Sequence, residues 1–289
     1  MGRLNVDDAT YRALNRWSWS TAKHVLACPA EARDQRDRPI ETTPAMQIGT
    51  LIHAMILEPD TLTDRYAVVP EVRKGLQGYT FDGADQGWRL KRDAEEARDA
   101  GLGGRIGLTR ELISDCADRC GPVCEWMIHE AEAEGLEVAM VGDIEGAAVK
   151  GKADVITSDA VIDVKSLADC SPRAVQRAAV DRGWLGQLWT YGELARQSGY
   201  PVNRYGVIVV QAPRASGQPL KLSAGRQPRA SWRLLWLDDA AAAYGEAEAR
   251  KVWRTIRDCE AAKSWPDYDQ TLIELPRWAR AEEIKDEAF

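Results

Sequence analysis

Asp154, Asp163 and Lys165 are the residues of this chain whose types and spacing could carry out a reaction. The two acids stand nine residues apart, and the lysine follows two beyond the second. Each acid sits in a short apolar, β-branched stretch, Gly151–Ile156 and Val161–Lys165, and Ser158-Asp159 between them is a turn signal. Read as a hairpin, the pattern brings Asp154 and Asp163 together at one end of two paired strands. Strand side chains alternate between faces, so Asp163 and Lys165 point the same way. Two carboxylates and an ammonium group on one sheet edge can hold a divalent cation and an activated water, which is the chemistry of phosphodiester hydrolysis. In that chemistry Lys165 positions the water, helps to deprotonate it, or steadies charge on the phosphorane.

The flanking sequence supplies the elements that must position these groups. From residue 136 the hydrophobic period is two, with strands expected near 136–142, 146–156 and 160–165. Ser171-Pro172 opens a helix to about Arg182, a second helix covers 184–197, and Tyr205–Gln211 reads as a buried strand. A loop follows at 212–230, then a strand Ser231–Leu237 and an Ala-rich helix over 238–263. Upstream, residues 8–30 read as one helix that Cys28-Pro29-Ala30 ends or bends. A buried helix is expected over 47–58, a long loop over 66–88, an exposed helix over 89–100, and a helix capped by Thr109 running to about Ala133. This order predicts an α/β fold, a central mixed β-sheet flanked by helices, with a helical N-terminal region. The expected divisions are a helical region 1–135, a core 136–265 and a charged tail 266–289, all within one integrated domain.

Composition excludes some functions. Net charge is −7 and the pI about 5.2, which argues against a general nucleic-acid coat. It leaves room for a nuclease whose basic residues are confined to one channel. No apolar run approaches the roughly 20 residues needed to span a bilayer, and the N-terminus lacks the apolar core of a signal peptide. Met1-Gly2 is followed by Val6 where myristoylation favours Ser or Thr, so a cytoplasmic protein with no membrane partner is expected. Cys116, Cys120 and Cys124 recur every fourth residue, on one helix face. They make either a metal or iron–sulfur site with a distant ligand such as Cys28, or a buried apolar stripe; without a Cys-x-x-Cys the stripe is favoured. Trp126, Trp184, Trp189, Trp232 and Trp236 fall in apolar patterns and are expected in the core.

Asp-x8-Asp-x-Lys on a hairpin resembles the PD-(D/E)xK nuclease superfamily, with Asp163 in the position that takes Asp or Glu. Gly49-Thr50-Leu51-Ile52-His53 through Leu57-Glu58-Pro59 resembles a segment of the RecE-like (exonuclease VIII) phage exonucleases. Gln187-Leu188-Trp189-Thr190-Tyr191 resembles the Gln-x-x-x-Tyr motif of RecB-type nucleases, and Ser20–Ala30 resembles the start of that family. The resemblance implies that His53 lies beside the metal and that Glu137, on the preceding strand, is a further ligand with Asp154 and Asp163. Glu145 competes for that place but falls in a turn and is expected to be exposed. Gln187 and Tyr191 share a helix face and would contact phosphate or order the site; packing of Tyr191 into the core is the alternative. Arg173, Arg177 and Arg182, with Arg214, Lys221, Arg226 and Arg229 of the loop, are candidates for phosphate contacts that read no sequence.

The implied activity is Mg²⁺-dependent digestion of linear double-stranded DNA from its ends, processive and 5′→3′, leaving a 3′ single strand for an annealing protein. Mn²⁺ would serve as well, since both ions suit oxygen ligands. A ring-shaped homo-oligomer, trimeric or tetrameric, is implied too. The rival readings are a RecB- or Cas4-like nuclease with an iron–sulfur cluster, and a catalytically inactive DNA-binding ring module.

Overall fold

The computed structural model describes residues 2–38, 42–75, 78–82, 84, 87–213 and 232–268. Strand β1 (Gly2–Leu4) leads to helices α1 (Asp8–Ala13), α2 (Trp19–Ala22), α3 (Pro29–Asp37) and α4 (Pro44–Leu57). Helix α5 (Leu62–Arg65), strands β2 (Tyr66–Val69), β3 (Arg73–Gly75) and β4 (Gly78–Thr80), helix α6 (Lys91–Asp99) and strand β5 (Ile106–Thr109) precede the long α7 (Arg110–His129). Then come β6 (Gly135–Ile144), β7 (Ala147–Ile156), β8 (Ala160–Leu167), α8 (Pro172–Asp181), α9 (Trp184–Gln197), β9 (Arg204–Gln211), β10 (Trp232–Trp236) and α10 (Asp239–Ala262).

The main sheet has the order β1-β6-β7-β8-β9-β10. Its neighbours are antiparallel except β8 and β9, which run parallel. A parallel join needs a crossover, and α8 and α9 supply it. Alternate strand residues divide between two cores. Val161, Val207 and Val209 pack with Trp19, Leu188 and Trp253 from α2, α9 and α10. Ile162, Ile208 and Val210 pack with Ile52 of α4 and Cys120 of α7. Both faces are therefore covered, and residues before 135 contribute to each. No helix among the described residues is long and apolar enough to cross a membrane.

Local capping explains why several helices start where they do. The side chains of Thr109, Ser171 and Asp238 accept from the amides of Leu112, Ala174 and Ala241. Two expected elements are corrected. Residues 8–30 do not form one helix: the chain leaves α1 so that Trp17 can pair with β7, donating to Ala148 O at 3.0 Å and accepting from Lys150 N at 2.8 Å. Cys28-Pro29-Ala30 then begins α3, with Pro29 in the first turn where its missing N–H costs nothing. Residues 66–88 are not a loop throughout, because β2 pairs in parallel with β5 and β3 pairs with β4.

Two polar anchors tie the sheet to its helices, and each gives a testable expectation. Lys150 is buried, and its Nζ donates to Tyr11 O at 3.2 Å and to Arg12 O and Leu14 O at 2.9 Å each. Lys150→Met strips three carbonyls of a charged donor. Urea unfolding should show a loss of about 2–3 kcal/mol, and an unchanged midpoint would show that water replaces the ammonium. Glu145 and Gly146 form the two-residue β6–β7 turn, both at positive φ. Contrary to expectation, the Glu145 carboxylate is not free in solvent: it pairs with Arg250 and, at 2.8 Å, with Arg254. Hydrogen bonds from Arg254 and Arg250 hold its pKa down to about 2. A depressed carboxylate stabilises above its unfolded pKa and loses that contribution as pH falls through the folded value. Glu145→Gln should thus lower the urea midpoint at pH 7, and the difference from the parent should shrink steadily between about pH 4.5 and pH 2.

Candidate metal centre

The β7–β8 ladder explains the position of the two aspartates. It runs only through Val155↔Ile162 and Ile156↔Val161. Beyond it the strands part, and Asp154 Oδ2 takes over the pairing by accepting from Val164 N at 2.6 Å. Both carboxylates are withdrawn from solvent, Asp154 at 7% and Asp163 at 1% exposure. Lys165 shares the Asp163 face, as strand alternation requires, and its Nζ is 2.6 Å from Asp163 Oδ2. On β6, Glu137 has a left-handed backbone, φ 50°, in mid-strand. A non-glycine residue there costs about 1–3 kcal/mol, and such strain gathers at functional sites. Here it coincides with a carboxylate turned toward the Asp154 cluster.

Helices bring the remaining groups from both faces. On α4, Gly49 lies against β8, where a Cβ would stand 3.0 Å from Ser166 Oγ. One turn on, His53 Nε2 is 3.0 Å from Asp154 Oδ1 and 3.3 Å from Glu137 Oε1. On the other face, Gly151 lets α9 settle on β7: a Cβ there would meet Leu194 and Tyr191 at 2.8 Å. Gln187 of α9 accepts from Lys165 Nζ at 3.0 Å and donates to Asp163 Oδ1 and Tyr191 Oη at 3.1 Å each. It is a bracket holding the acid and the lysine in one geometry.

The electrostatics match a site built for positive charge. Burial alone would lower the His53 pKa, but the charge and hydrogen bond of Asp154, then Glu137 and Asp163, raise it to about 9. Burial also opposes ionisation of Asp154, yet His53 and Lys165 carry its pKa below the ordinary value. Asp163 goes the other way: burial, reinforced by the Asp154 charge, outweighs Lys165 and pushes it up. Glu137 is raised by burial. Both Glu137 carboxylate oxygens and Asp163 Oδ2 are buried without a well-formed hydrogen bond, their contacts being ion pairs. Buried, hydrogen-bond-starved oxygens beside an imidazole are a donor set that suits a hard divalent cation.

Two groups absent from the expected set belong here. Glu58, the C-cap of α4, brings a carboxylate oxygen within 4.8 Å of ligand atoms of His53 and Glu137. Lys152 pairs with Glu137. Glu58 stood in the quoted Leu-Glu-Pro segment, and Lys152 lies two before Asp154, on the same strand face, so each had a signal.

Other expected residues fall elsewhere. Arg173 and Arg177 are exposed on α8, the latter 3.0 Å from Asp181. Arg214, Lys221, Arg226 and Arg229 lie outside the described residues. Trp184 and Trp189 are core residues, but Trp236 is 41% exposed, under the Arg204 guanidinium at 4.0 Å from its ring centroid; it sits on the edge strand β10. The cysteine stripe packs on α4, where the thiols of Cys120 and Cys124 face Ile52 O and Met55 O. Burial pushes the Cys116 and Cys120 thiols up to about 12. Cys28 is engaged with Asp267 instead, at 3.5 Å.

A helix-flanked mixed sheet whose central hairpin presents two aspartates and a lysine is the PD-(D/E)xK nuclease fold. The chain belongs to the family described as PDDEXK-like domain of unknown function (DUF3799), whose model matches residues 18–271. It resembles a candidate exonuclease from Eubacterium rectale, known from a crystal structure. There the TM-score is 0.59 at 13% identity, over 94% of this chain and 96% of that one. At that identity the likeness is one of fold. A phage-related exonuclease from Haemophilus somnus matches over 61% of this chain and 84% of its own, at 12% identity and a TM-score of 0.34, too low to argue from. No curated protein sequence matches.

Proposed function

We propose that this chain is a metal-dependent deoxyribonuclease acting on the ends of linear double-stranded DNA. The observation that carries the reading is that Asp163, Lys165 and Gln187 form one hydrogen-bonded cluster, while Asp154, held by Val164 N, stands on the adjacent strand against His53, itself beside Glu137. Asp154, Asp163 and Glu137 would hold the cation, with His53 and Glu58 at its margin; Mg²⁺ is the expected ion and Mn²⁺ a substitute. When bound, it supplies charge stabilisation and an acidified water. Lys165, fixed by Asp163 and Gln187, would orient an attacking water and neutralise charge building on the phosphate. Tyr191 holds Gln187 in place. Arg173 and Arg177 carry the DNA backbone, Arg177 at little cost, because its exposed pair with Asp181 is weak. Arg214 and Arg226 would do the same from the following loop.

The finer reading is processive 5′→3′ digestion by a cytoplasmic, ring-shaped trimer or tetramer, with the 3′ strand passed to an annealing protein for recombination. What supports it is the resemblance of the Gly49–Pro59 and Gln187–Tyr191 segments, whose His53 and Gln187 contact Asp154 and Asp163 while Glu58 lies near His53 and Glu137. The test is digestion with Mg²⁺ of linear duplexes blocked at either the 5′ or the 3′ ends, beside a closed circle. Loss of DNA from open 5′ ends only, with the circle spared, is expected. Nicking of the circle would replace the reading with an endonuclease.

A further inference from the structure

The main sheet ends at β10, and among the described residues no strand lies beyond it. The free side of that strand follows from its pairing. Leu237, one residue past β10, donates to Tyr205 O at 3.0 Å. In an antiparallel pair, bonded and non-bonded partners alternate. Leu235 and Arg233 therefore turn their amides and carbonyls toward Val207 and Val209 of β9, while Trp232, Leu234 and Trp236 turn theirs outward. Proteins blunt such edges with proline, lysine or a bulge. Trp232-Arg233-Leu234-Leu235-Trp236 has neither proline nor lysine, and its register with β9 runs without a bulge. We propose that the outer edge of β10 takes up an extended, basic segment of a partner protein as an added strand.

Charge at the end of the edge decides the sign of the partner. Trp232 packs on Trp126 of α7, ring centroids 6.0 Å apart, and alternation puts Trp236 on the same face. Trp236, 41% exposed, also lines a cavity of about 200 Å³ with Trp126, Glu130, Glu132, Asp159 and Arg204. Arg204 is already engaged: it pairs with Asp159 at 3.3 Å and lies over the Trp236 ring. Glu130 and Glu132 remain, both exposed and in no ion pair among the described residues. They follow the last turn of α7, whose unpaired carbonyls add negative charge of their own. An added strand would lie about 4.8 Å beyond β10, so every second side chain falls on the α7 face, next to Trp236 and this cavity. A lysine or arginine there meets two carboxylates and a helix C-terminus. Backbone bonds along the edge supply affinity, and the carboxylates select a basic segment over an acidic one. The inference is independent of the nuclease reading, since none of these residues belongs to the metal centre.

The probes are two end-blocked fluorescent heptapeptides, one alternating lysine and the other glutamate with threonine or valine. Each is titrated with the full chain and followed by fluorescence anisotropy, for the parent and for Leu234→Pro and Trp236→Lys. Leu234→Pro removes an outward amide and no bond to β9. Trp236→Lys places a cation where the basic side chain of the partner would sit. The parent should bind the lysine peptide at least ~10-fold more tightly than the glutamate peptide, and each substitution should weaken that binding at least ~10-fold. Trp236 is well exposed, so Trp236→Lys decides the matter if circular dichroism shows that Leu234→Pro does not fold. No binding to the parent, equal binding of the two peptides, or undiminished binding by a folded variant overturns the proposal. So does light scattering that finds the parent dimeric and Leu234→Pro monomeric, because a second copy of the chain then holds the edge.

Discussion

Asp163→Asn is expected to lower kcat/KM on linear duplex DNA by at least ~10³-fold, with residual cleavage near background. Two functions are lost together, a carboxylate for the cation and the charged partner of Lys165 at 2.6 Å, while the remaining amide oxygen can still accept from Gln187. Removing one group that stabilises developing charge costs ~10²–10³ by itself, and a metal ligand adds to that. The substitution should cost little stability. Asp163 is almost fully buried and its carboxylate is disfavoured there, so an amide of the same shape relieves desolvation as it loses a charge partner. Thermal unfolding of the variant should stay within a few degrees of the parent, while calorimetric binding of Mg²⁺ weakens sharply. A variant retaining a tenth of parental activity would remove Asp163 from the centre of the account.

Lys165→Gln should separate chemistry from metal binding. Its ammonium touches Asp163 and Gln187, while the cation would sit among the carboxylates. The expected result is a fall in kcat of ~10²–10⁴, the range for loss of a proton-transfer or charge-stabilising group, with KM and Mg²⁺ affinity changed only slightly. Lys165→Arg should not restore activity, since a planar guanidinium cannot occupy the Gln187–Asp163 bracket as a compact ammonium does. Single-turnover kinetics at saturating DNA gives kcat free of product release. A kcat within threefold of the parent would mean that the lysine only shields the aspartates.

The aspartate hairpin was legible because a two-residue period needs no distant partner, and local capping made Thr109, Ser171 and the 184–197 helix legible for the same reason. What escaped depends on contacts far along the chain. Trp17 leaves the helical pattern only because β7 offers it a bridge, 132 residues away. Tyr66 joins a strand only because Ile106 lies beside it. The left-handed backbone of Glu137 has no signature in a Leu-Glu-Val triplet; it follows from the parting of the β6–β7 ladder at Asp154. His53 and Gln187 come from opposite faces of the sheet, so no spacing along the chain reveals that they share one site. The family resemblance singled them out, and the packing at Gly49 and Gly151 supplies the physical reason. Glu58 and Lys152 are within reach of the same rules: the first stands at the end of the helix expected over 47–58, and the second lies inside the Gly151–Ile156 stretch, two residues before Asp154.

The most direct test of the central claim is release of acid-soluble nucleotide from uniformly labelled linear duplex DNA by the purified chain, with Mg²⁺, with Mn²⁺ and with excess chelator. Release should rise with either ion, vanish with chelator and be absent from Asp163→Asn. Release that persists in chelator, or no release with either ion, would contradict it.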